Sequence, residues 1–374
     1  MEMKKPLIGL SLMREQEFLD AALPLFLNNE VEVIEWSFDT IRDEASKPAW
    51  MHPLLKEYSD AGRLIGHGVR FSIFDASWTQ RQQFWLRKLK QEVKRYNYQH
   101  MTEHFGFMSN TDFHKGAPMP VPLNEASLKI GIDRLRRIHE TGGLAVGVEN
   151  LAFAFSKYDV LEQGNFLDKL VEPVNGFLIL DLHNIYCQAH NFNCDMLEII
   201  EAYSLKKVKE LHISGGSWQQ SIYSKKPKKI RRDTHDGPVP KEIFSILPEV
   251  LKRCKNLEYV IFERMGDTIK DLKEQKQFRK DFLKIKSIVA ETDFDCSGKK
   301  RKEKQKALPA LAKKPLSDKI LLWEQRHILN AMRNSKNPTE VLSKLNPSRI
   351  KDWKTEQWEI QMVETALDLM RKWD

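Results

Sequence analysis

Residues 177–184 read FLILDLHN, so an apolar run ends at Asp181 and is followed directly by His183 and Asn184. Apolar, β-branched runs of this kind recur along the chain and alternate with longer stretches that have helical spacing. Eight such runs, each followed by a helix or a long loop, are the pattern of a parallel barrel. The predicted strands are Leu7–Leu12, Val31–Phe38, Arg63–Val69, Tyr98–Phe105, Leu144–Leu151, Phe177–Ile185, Val208–Ser214 and Leu257–Glu263.

The segments between these strands carry apolar residues three and four positions apart, which is typical of amphipathic helices. The clearest predicted helices are Gln80–Tyr96, Glu125–Thr141, Tyr158–Val174 and Lys241–Lys255. A doubly wound open sheet would show a glycine-rich phosphate-binding turn after its first strand, and Leu10–Glu17 has no such turn. The sequence therefore predicts an α/β fold, a (β/α)₈ TIM barrel over residues 1–291.

The chain after the predicted barrel changes in composition. Residues 292–316 are polar, rich in lysine and contain two prolines, which indicates a basic linker. Helical spacing returns in residues 317–374, which we predict to be a C-terminal helical extension. Its predicted helices are Ser317–Arg333, Pro338–Lys344 and Thr355–Trp373, with Ser317 and Thr339 as N-caps of the first two.

Three of the nine tryptophans, Trp353, Trp358 and Trp373, fall in the last 22 residues of this extension. Two interpretations of the extension are open. Its helices could dock on the barrel and stabilise it, or its basic linker and tryptophans could recruit a peptide or a partner protein.

The net charge of +8 is concentrated in the linker. Between Lys299 and Lys314, eight lysines and arginines stand against one glutamate, so this stretch carries +7 and the rest is close to neutral. A second basic cluster, Lys225–Arg232, falls in a predicted loop. Such runs are usually solvated, so the charge does not predict a nucleic-acid partner.

The sequence favours a protein of the reducing cytoplasm. It has no run of 18 or more apolar residues, so we expect no membrane-spanning helix. Its first residues, Met1–Pro6, lack the apolar region and the cleavage site of a signal peptide. The four cysteines are scattered and form no Cys-x-x-Cys pair, which argues against a disulfide framework or a zinc knuckle.

Residues that can bind a metal stand at the ends of the predicted strands. Because the C-terminal ends of barrel strands meet at one rim, where active sites of such barrels lie, we expect these side chains to converge. Taken singly, His212 could be an ordinary core histidine and Glu263 could pair with Arg264; the argument rests on the set. The predicted metal ligands are His67, His104, Glu149, Asp181, Asn184, His212, Asp233, His235 and Glu263, and we expect Asp233 and His235 also to be catalytic.

The types of ligand narrow the choice of metal. Imidazole and carboxylate without thiolate suit iron, manganese or zinc. The set exceeds the roughly four to six donors that one ion needs. The sequence therefore predicts two or three ions bridged by a carboxylate, with Glu149 or Asp181 as the candidate bridge.

The same strand ends form an ordered series of motifs over residues 6–290. These are Gly66-His67-Gly68-Val69, Thr102-Glu103-His104-Phe105, Val148-Glu149-Asn150, Leu180-Asp181-Leu182-His183-Asn184, Glu210-Leu211-His212-Ile213-Ser214-Gly215, Asp233-Thr234-His235-Asp236-Gly237 and Ile261-Phe262-Glu263-Arg264. The series resembles that of the multinuclear non-haem iron-dependent oxidative enzymes, the family of the methanobactin-biosynthesis oxidase.

The resemblance implies an enzyme that holds two or three iron ions and uses dioxygen as co-substrate. It implies oxidative modification of a side chain, often cysteine, in a ribosomally synthesised precursor peptide. Members of this family commonly rely on a separate partner protein to recruit that peptide, so a small partner or recognition protein is also implied.

Two of the chain's departures from the family pattern bear on candidate ligands. Asp39 is the candidate substitute for a Glu-Asn pair that the family tends to have after strand two. His183 stands where asparagine is frequent, and could be an extra ligand or a hydrogen-bond donor to one.

Two other classes of function fit the strand-end residues. A TIM-barrel isomerase, epimerase or endonuclease would use zinc, manganese or magnesium without redox chemistry. A non-catalytic peptide-binding scaffold would hold no metal. Metal analysis with spectroscopy distinguishes all three.

Overall fold

The computed structural model describes residues 5–41, 46–108, 118–224, 228–294 and 308–373. Most of the predicted linker and part of the Lys225–Arg232 cluster lie outside these residues. The strands are β1 Leu7–Ser11, β2 Val33–Trp36, β3 Leu64–Gly68, β4 Tyr98–His104, β5 Ala145–Glu149, β6 Phe177–Asp181, β7 Val208–Ile213, β8 Trp218–Ser221, β9 Lys228–Arg231 and β10 Tyr259–Phe262. The helices are α1 Gln16–Leu27, α2 Met51–Asp60, α3 Gln80–Arg95, α4 Glu125–Gly142, α5 Lys157–Val171, α6 Leu182–Phe192, α7 Met196–Glu201, α8 Lys241–Arg253, α9 Leu272–Glu291, α10 Lys319–Arg333, α11 Pro338–Lys344 and α12 Ile360–Trp373.

Eight parallel strands close into a barrel in the order β1-β10-β7-β6-β5-β4-β3-β2. Each of the eight predicted strand ranges contains one of these strands, so the predicted TIM barrel is confirmed. Gly143 adopts a left-handed conformation (φ 65°) and ends α4, as its position predicts. None of the described helices is long and apolar enough to cross a membrane.

The sequence-based prediction was wrong for two features of the barrel domain. The sixth strand was predicted to run to Ile185, but β6 ends at Asp181 and α6 begins at Leu182. The Asp181 carboxylate caps α6 by accepting a hydrogen bond from Asn184 N at 2.5 Å, which ends the strand there. The antiparallel hairpin β8–β9 was predicted as a loop, because its lysines and arginines hide the strand pattern.

The barrel interior has two layers, since residues two apart on a strand share a face. On three strands the lower layer, at their N-terminal ends, is apolar and contains Val33, Ile65 and Ile261. Two residues further along these strands come Glu35, His67 and Glu263. On these strands the interior therefore changes from apolar to polar toward the C-terminal rim.

Helices α10, α11 and α12 pack on one another and on the rim loops. Gln325 of α10 donates to Phe74 O at 2.8 Å and accepts from Ala76 N at 3.2 Å, which fixes the loop after β3. Trp358 stacks on Phe155 in the loop after β5, with ring centroids 3.9 Å apart. The extension is docked on the barrel.

The structure corrects four expectations about the extension. Trp353 and Trp358 are only 4% and 7% exposed, so they are not free to act as recruitment anchors. Asp318 caps α10 in place of Ser317, whose hydroxyl instead accepts from Trp78 N. Asn337 caps α11 in place of Thr339, and α12 begins at Ile360, later than predicted.

Candidate metal centre

The first group of converging side chains comes from β3, β4 and β5. His67 Nε2 and His104 Nε2 each lie 3.2 Å from Glu149 Oε2, and they lie 3.3 Å from one another. One donor atom from each residue falls within 4.8 Å of the others, which is close enough for all three to hold a single ion.

The backbone and Thr102 orient both of these histidines. The Thr102 hydroxyl donates to Gly66 O at 3.1 Å, so it accepts from His67 Nδ1 at 2.7 Å. His104 Nδ1 lies 3.1 Å from Gly68 O, which can only accept. Each ring therefore carries its proton on Nδ1 and presents the lone pair of Nε2 toward Glu149.

The second group comes from β5, β6, β7 and the residue after β10. It consists of Glu149, Asp181, His212 and Glu263, all buried, with one donor atom each within 4.8 Å of the others. His212 Nδ1 lies 3.6 Å from Glu149 Oε1 and 3.4 Å from Glu263 Oε2. Glu149 therefore belongs to both groups, with Oε2 in the first and Oε1 facing the second.

Several oxygen and nitrogen atoms in and beside the two groups are buried without a hydrogen-bond partner among the described residues. They are Glu149 Oε2, Asp181 Oδ2, Asn184 Oδ1 and His212 Nδ1. Asn184 lies beside the second group, since its Nδ2 donates to Asn150 O at 2.8 Å and lies 3.3 Å from Glu149 Oε1. Buried polar atoms normally have partners, so this set of imidazole, carboxylate and amide donors fits bound metal ions.

The pKa values of Asp181 and His212 reflect the buried carboxylates around them. Burial and the like charges of Asp233 and Glu149 raise the pKa of Asp181 well above its ordinary value. Burial alone would lower the pKa of His212, but the charges of Glu263 and Glu35 outweigh it and raise that pKa well above its ordinary value. A divalent cation would relieve both effects.

Asp233 and His235 lie beside the two compact groups. Asp233 Oδ1 lies 2.9 Å from His235 Nε2 and 3.0 Å from His183 Nδ1. His235 Nδ1 lies 3.8 Å from Glu263 Oε2, which connects the pair to the second group. Their side chains are 27% and 21% exposed, whereas the second group is almost fully enclosed, so they stand at the mouth of the site.

His183 supports Asp233. Its Nε2 accepts from Arg231 Nε at 3.2 Å, so its proton lies on Nδ1 and is donated to Asp233. Both ring nitrogens are thus hydrogen-bonded to protein groups. This favours a role for His183 as a hydrogen-bond donor to a ligand over a role as an extra metal ligand.

Asp39 takes no part in either group. Its Oδ2 accepts from Val69 N at 2.9 Å, Arg70 N at 2.7 Å and Trp85 Nε1 at 2.7 Å. It therefore holds the loop after β3 against α3, and the expectation that it replaces a family ligand is not supported by its position.

Three buried residues below the site were missing from the sequence prediction. Glu35 Oε2 and Glu210 Oε1 lie 3.2 and 3.0 Å from His212 Nε2, and His100 Nε2 lies 2.8 Å from Glu210 Oε2. Burial raises the pKa of Glu210, but the neighbouring His100 outweighs it and brings that pKa to about 2. The i, i+2 spacing of Glu210 and His212 could have revealed one of the three, since it places both on one face of β7.

Comparison with known proteins agrees with this architecture. The chain is 27% identical to a UPF0276 protein of Acaryochloris marina over 188 residues, a match that spans 50% of this chain and 64% of that one. It is 23% identical to a UPF0276 protein of Acinetobacter baylyi over 254 residues, covering 66% and 81% of the two chains.

Among solved structures, the IOLI protein with a binding zinc atom has a similar fold. The TM-score is 0.51 at 12% identity, and the match covers 77% of this chain and 99% of that one. At this identity the likeness concerns the fold alone.

A family model described as RiPP precursor modification enzyme MbnB/TglH/ChrH matches residues 17–289. That range contains every barrel strand except β1 and every residue of the two groups. The chain belongs to the MbnB/TglH/ChrH family of enzymes that modify ribosomally synthesised peptide precursors.

Proposed function

We propose that the chain holds two or three iron ions at the barrel rim and uses dioxygen to oxidise a side chain, such as cysteine, of a precursor peptide. The observation that carries the proposal is the position of Glu149, whose two carboxylate oxygens face two separate sets of donors. A carboxylate placed in this way is suited to bridge two ions. Asn184, Asp233 and His235 are the candidate donors for a third.

Iron bound here would supply the one-electron chemistry that makes dioxygen usable as an oxidant. The protein's own contribution is to hold the ligand side chains in position and to orient them. Thr102 and Gly68 O fix the rings of His67 and His104, and Glu210 fixes the ring of His212. A side chain locked in this way loses little conformational freedom when an ion binds.

Asp233 and His235 are the residues proposed to act on the substrate. Both are partly exposed, so a peptide side chain at the rim can reach them. Asp233 Oδ1 lies within hydrogen-bond distance of His235 Nε2 and of His183 Nδ1. This pairing lets His235 accept or return a proton while Asp233 stabilises its charged form.

The first test is metal content. We expect elemental analysis of the chain expressed with added iron to find iron in the wild type. Asp181→Ala and His212→Ala should lose it while retaining the fold, because rim residues serve the site and the apolar strand residues serve the core. Glu258→Ala, an exposed carboxylate at the start of β10, is the matched control. Full iron occupancy in both rim variants would overturn the site.

The second test separates the oxidative function from a metal-dependent isomerase or hydrolase. The iron-loaded chain should change the mass of its precursor peptide only when dioxygen is present, and the zinc-loaded chain should not. Activity that is equal with zinc and independent of dioxygen would favour the non-redox alternative.

A further inference from the structure

A recess separate from the metal centre opens on the outer side of the loop after β3. It has a volume of about 340 Å³ and is lined by Asp39, Ile41, Arg70, Arg81, Phe84, Trp85 and Lys88. The chain itself connects the recess to the rim, because His67 lies in the site and Arg70, three residues later, lines the recess. Three residues of chain span at most about 11 Å, so the Cα atoms of His67 and Arg70 lie within that distance.

The charge of this recess is unbalanced. Three cationic side chains line it against one carboxylate, Asp39, whose Oδ2 is already used by Val69 N, Arg70 N and Trp85 Nε1. Lys88 is also engaged, since its Nζ donates to Phe38 O at 2.9 Å and to Ile41 O.

Arg70 and Arg81 have no such engagement. Neither guanidinium makes a hydrogen bond or an ion pair with any residue that the structure describes. Both act on one another through their charges: burial lowers the pKa of Arg81, the buried Asp75 carboxylate opposes that effect, and the charge of Arg70 lowers the pKa further. Two neighbouring guanidiniums that form no ion pair with a described carboxylate are a ready partner for an anion.

The apolar part of the recess limits what that anion can be. Phe84 is 57% exposed beside the two arginines, and Ile41 and Trp85 form the floor. An acidic side chain carried by a peptide would place its carboxylate on the guanidiniums and its neighbouring residue on the phenyl ring. A small inorganic anion would leave Phe84 uncovered.

We propose that Arg70 and Arg81 form a carboxylate subsite that binds an acidic side chain of the precursor peptide. The inference rests on the proposed function, because it assumes that the residue to be modified reaches the metal centre. An extended peptide advances about 3.3 Å per residue. Because the recess and the rim are three residues of chain apart, the acidic residue lies within a few positions of the modified one.

The test is a binding selection that needs no turnover. The full chain as purified, without dioxygen, is immobilised and exposed to a library of N-acetylated, C-amidated octapeptides with one fixed cysteine. Bound peptides are sequenced by mass spectrometry. We expect Asp and Glu to be enriched at one preferred spacing, within a few positions of the cysteine. The Arg70→Gln, Arg81→Gln double variant should reduce that enrichment about tenfold, which corresponds to about 1.4 kcal/mol.

The matched control is Lys252→Gln, Arg253→Gln, which removes the same charge where α8 ends, at the opposite face of the barrel. It should leave the enrichment unchanged. A loss of enrichment in this control, or no acidic enrichment in the wild type, would overturn the subsite. Enrichment found only in a second library with free C-termini would instead assign the arginines to a terminal carboxylate and overturn the side-chain proposal.

Iron content measured on the same samples separates this result from the proposed function. A chain that binds no iron can still show or lack the preference for acidic residues. A chain that binds iron and oxidises its peptide can do so without that preference.

Discussion

Glu210 lies 3.0 Å from Nε2 of His212, while the other ring nitrogen of His212 lies 3.4 Å from Glu263 Oε2. A carboxylate that accepts the Nε2 proton leaves the lone pair of Nδ1 facing Glu149 and Glu263. One hydrogen bond below the rim thereby fixes which nitrogen of His212 is available to an ion.

We expect Glu210→Gln to weaken metal binding about 10- to 100-fold, because an amide orients the ring less firmly than a carboxylate. The measurement is competition with a chelator for iron(II). Glu258→Gln removes an exposed carboxylate from the neighbouring strand and should not change the affinity. An unchanged affinity in Glu210→Gln would show that the pairing with His212 has no part in ligand orientation.

Thr102 gives a similar prediction for the first group. Thr102→Val removes the hydroxyl that accepts from His67 Nδ1, so the ring loses its fixed tautomer and iron occupancy should fall. Thr102→Ser retains the hydroxyl and should retain the occupancy. Elemental analysis of both variants is the measurement, and equal iron content in the two would contradict the role given to the hydroxyl.

The sequence predicted the residues at the strand ends better than those within strands. His67, His104 and Glu149 were predictable because each follows an apolar run, and parallel strands bring such positions to one rim. Glu35 and His100 were not, since they lie inside strands and approach the site only through the register of the closed barrel. A buried charged residue within a strand is not separable by sequence from one that faces solvent.

The docked extension could not be predicted for a related reason. Trp358 and Phe155 are separated by about two hundred residues, and nothing in either local sequence indicates the other. Asp39 follows the second strand, and this position suggested a metal ligand. Its actual partner, the Trp85 indole, lies on α3, which packs there only in the folded chain.

A pH-dependent stability is expected at the start of α5, where the extension docks. Burial raises the pKa of Asp159 to about 6, against the lowering effect of its hydrogen bonds from Ser156. The folded chain therefore keeps a proton that the unfolded chain loses near pH 4, so Asp159 contributes stability at low pH that is lost as the pH rises to about 6. Relative to Asp159→Asn, which cannot titrate, the free energy of unfolding of the wild type should decrease from pH 4 to pH 6. A constant difference between the two would contradict the assignment.

Trp358 should matter for stability more than its place in the extension suggests. Trp358→Ala removes the stack on Phe155 and the hydrogen bond from Trp358 Nε1 to Trp353 O, and we expect a cost of about 3–5 kcal/mol. Trp323→Ala is the matched control, since that ring is 41% exposed and should cost about 1 kcal/mol or less. Urea unfolding measures both, and similar costs would show that the stack is not a docking contact.

Truncation after Ala290 distinguishes the two roles considered for the extension. If the extension only recruited peptide, the shortened chain would keep its iron and its melting temperature, and would lose turnover of the full-length peptide but not of a leaderless one. The contacts predict a different result. Gln325 satisfies Phe74 O and Ala76 N in the loop after β3, and Trp358 covers Phe155 in the loop after β5.

Both loops follow strands that end in candidate ligands, His67 on β3 and Glu149 on β5. Removing the extension exposes their apolar side chains and leaves backbone groups without partners, which is costly in a buried position. We therefore expect the truncated chain to have a lower melting temperature, to aggregate and to bind less iron. Elemental analysis and thermal unfolding of the two chains are the measurements. A truncated chain with full iron content and an unchanged melting temperature would show that the extension does not stabilise the rim. That result would favour recruitment of the peptide as its role.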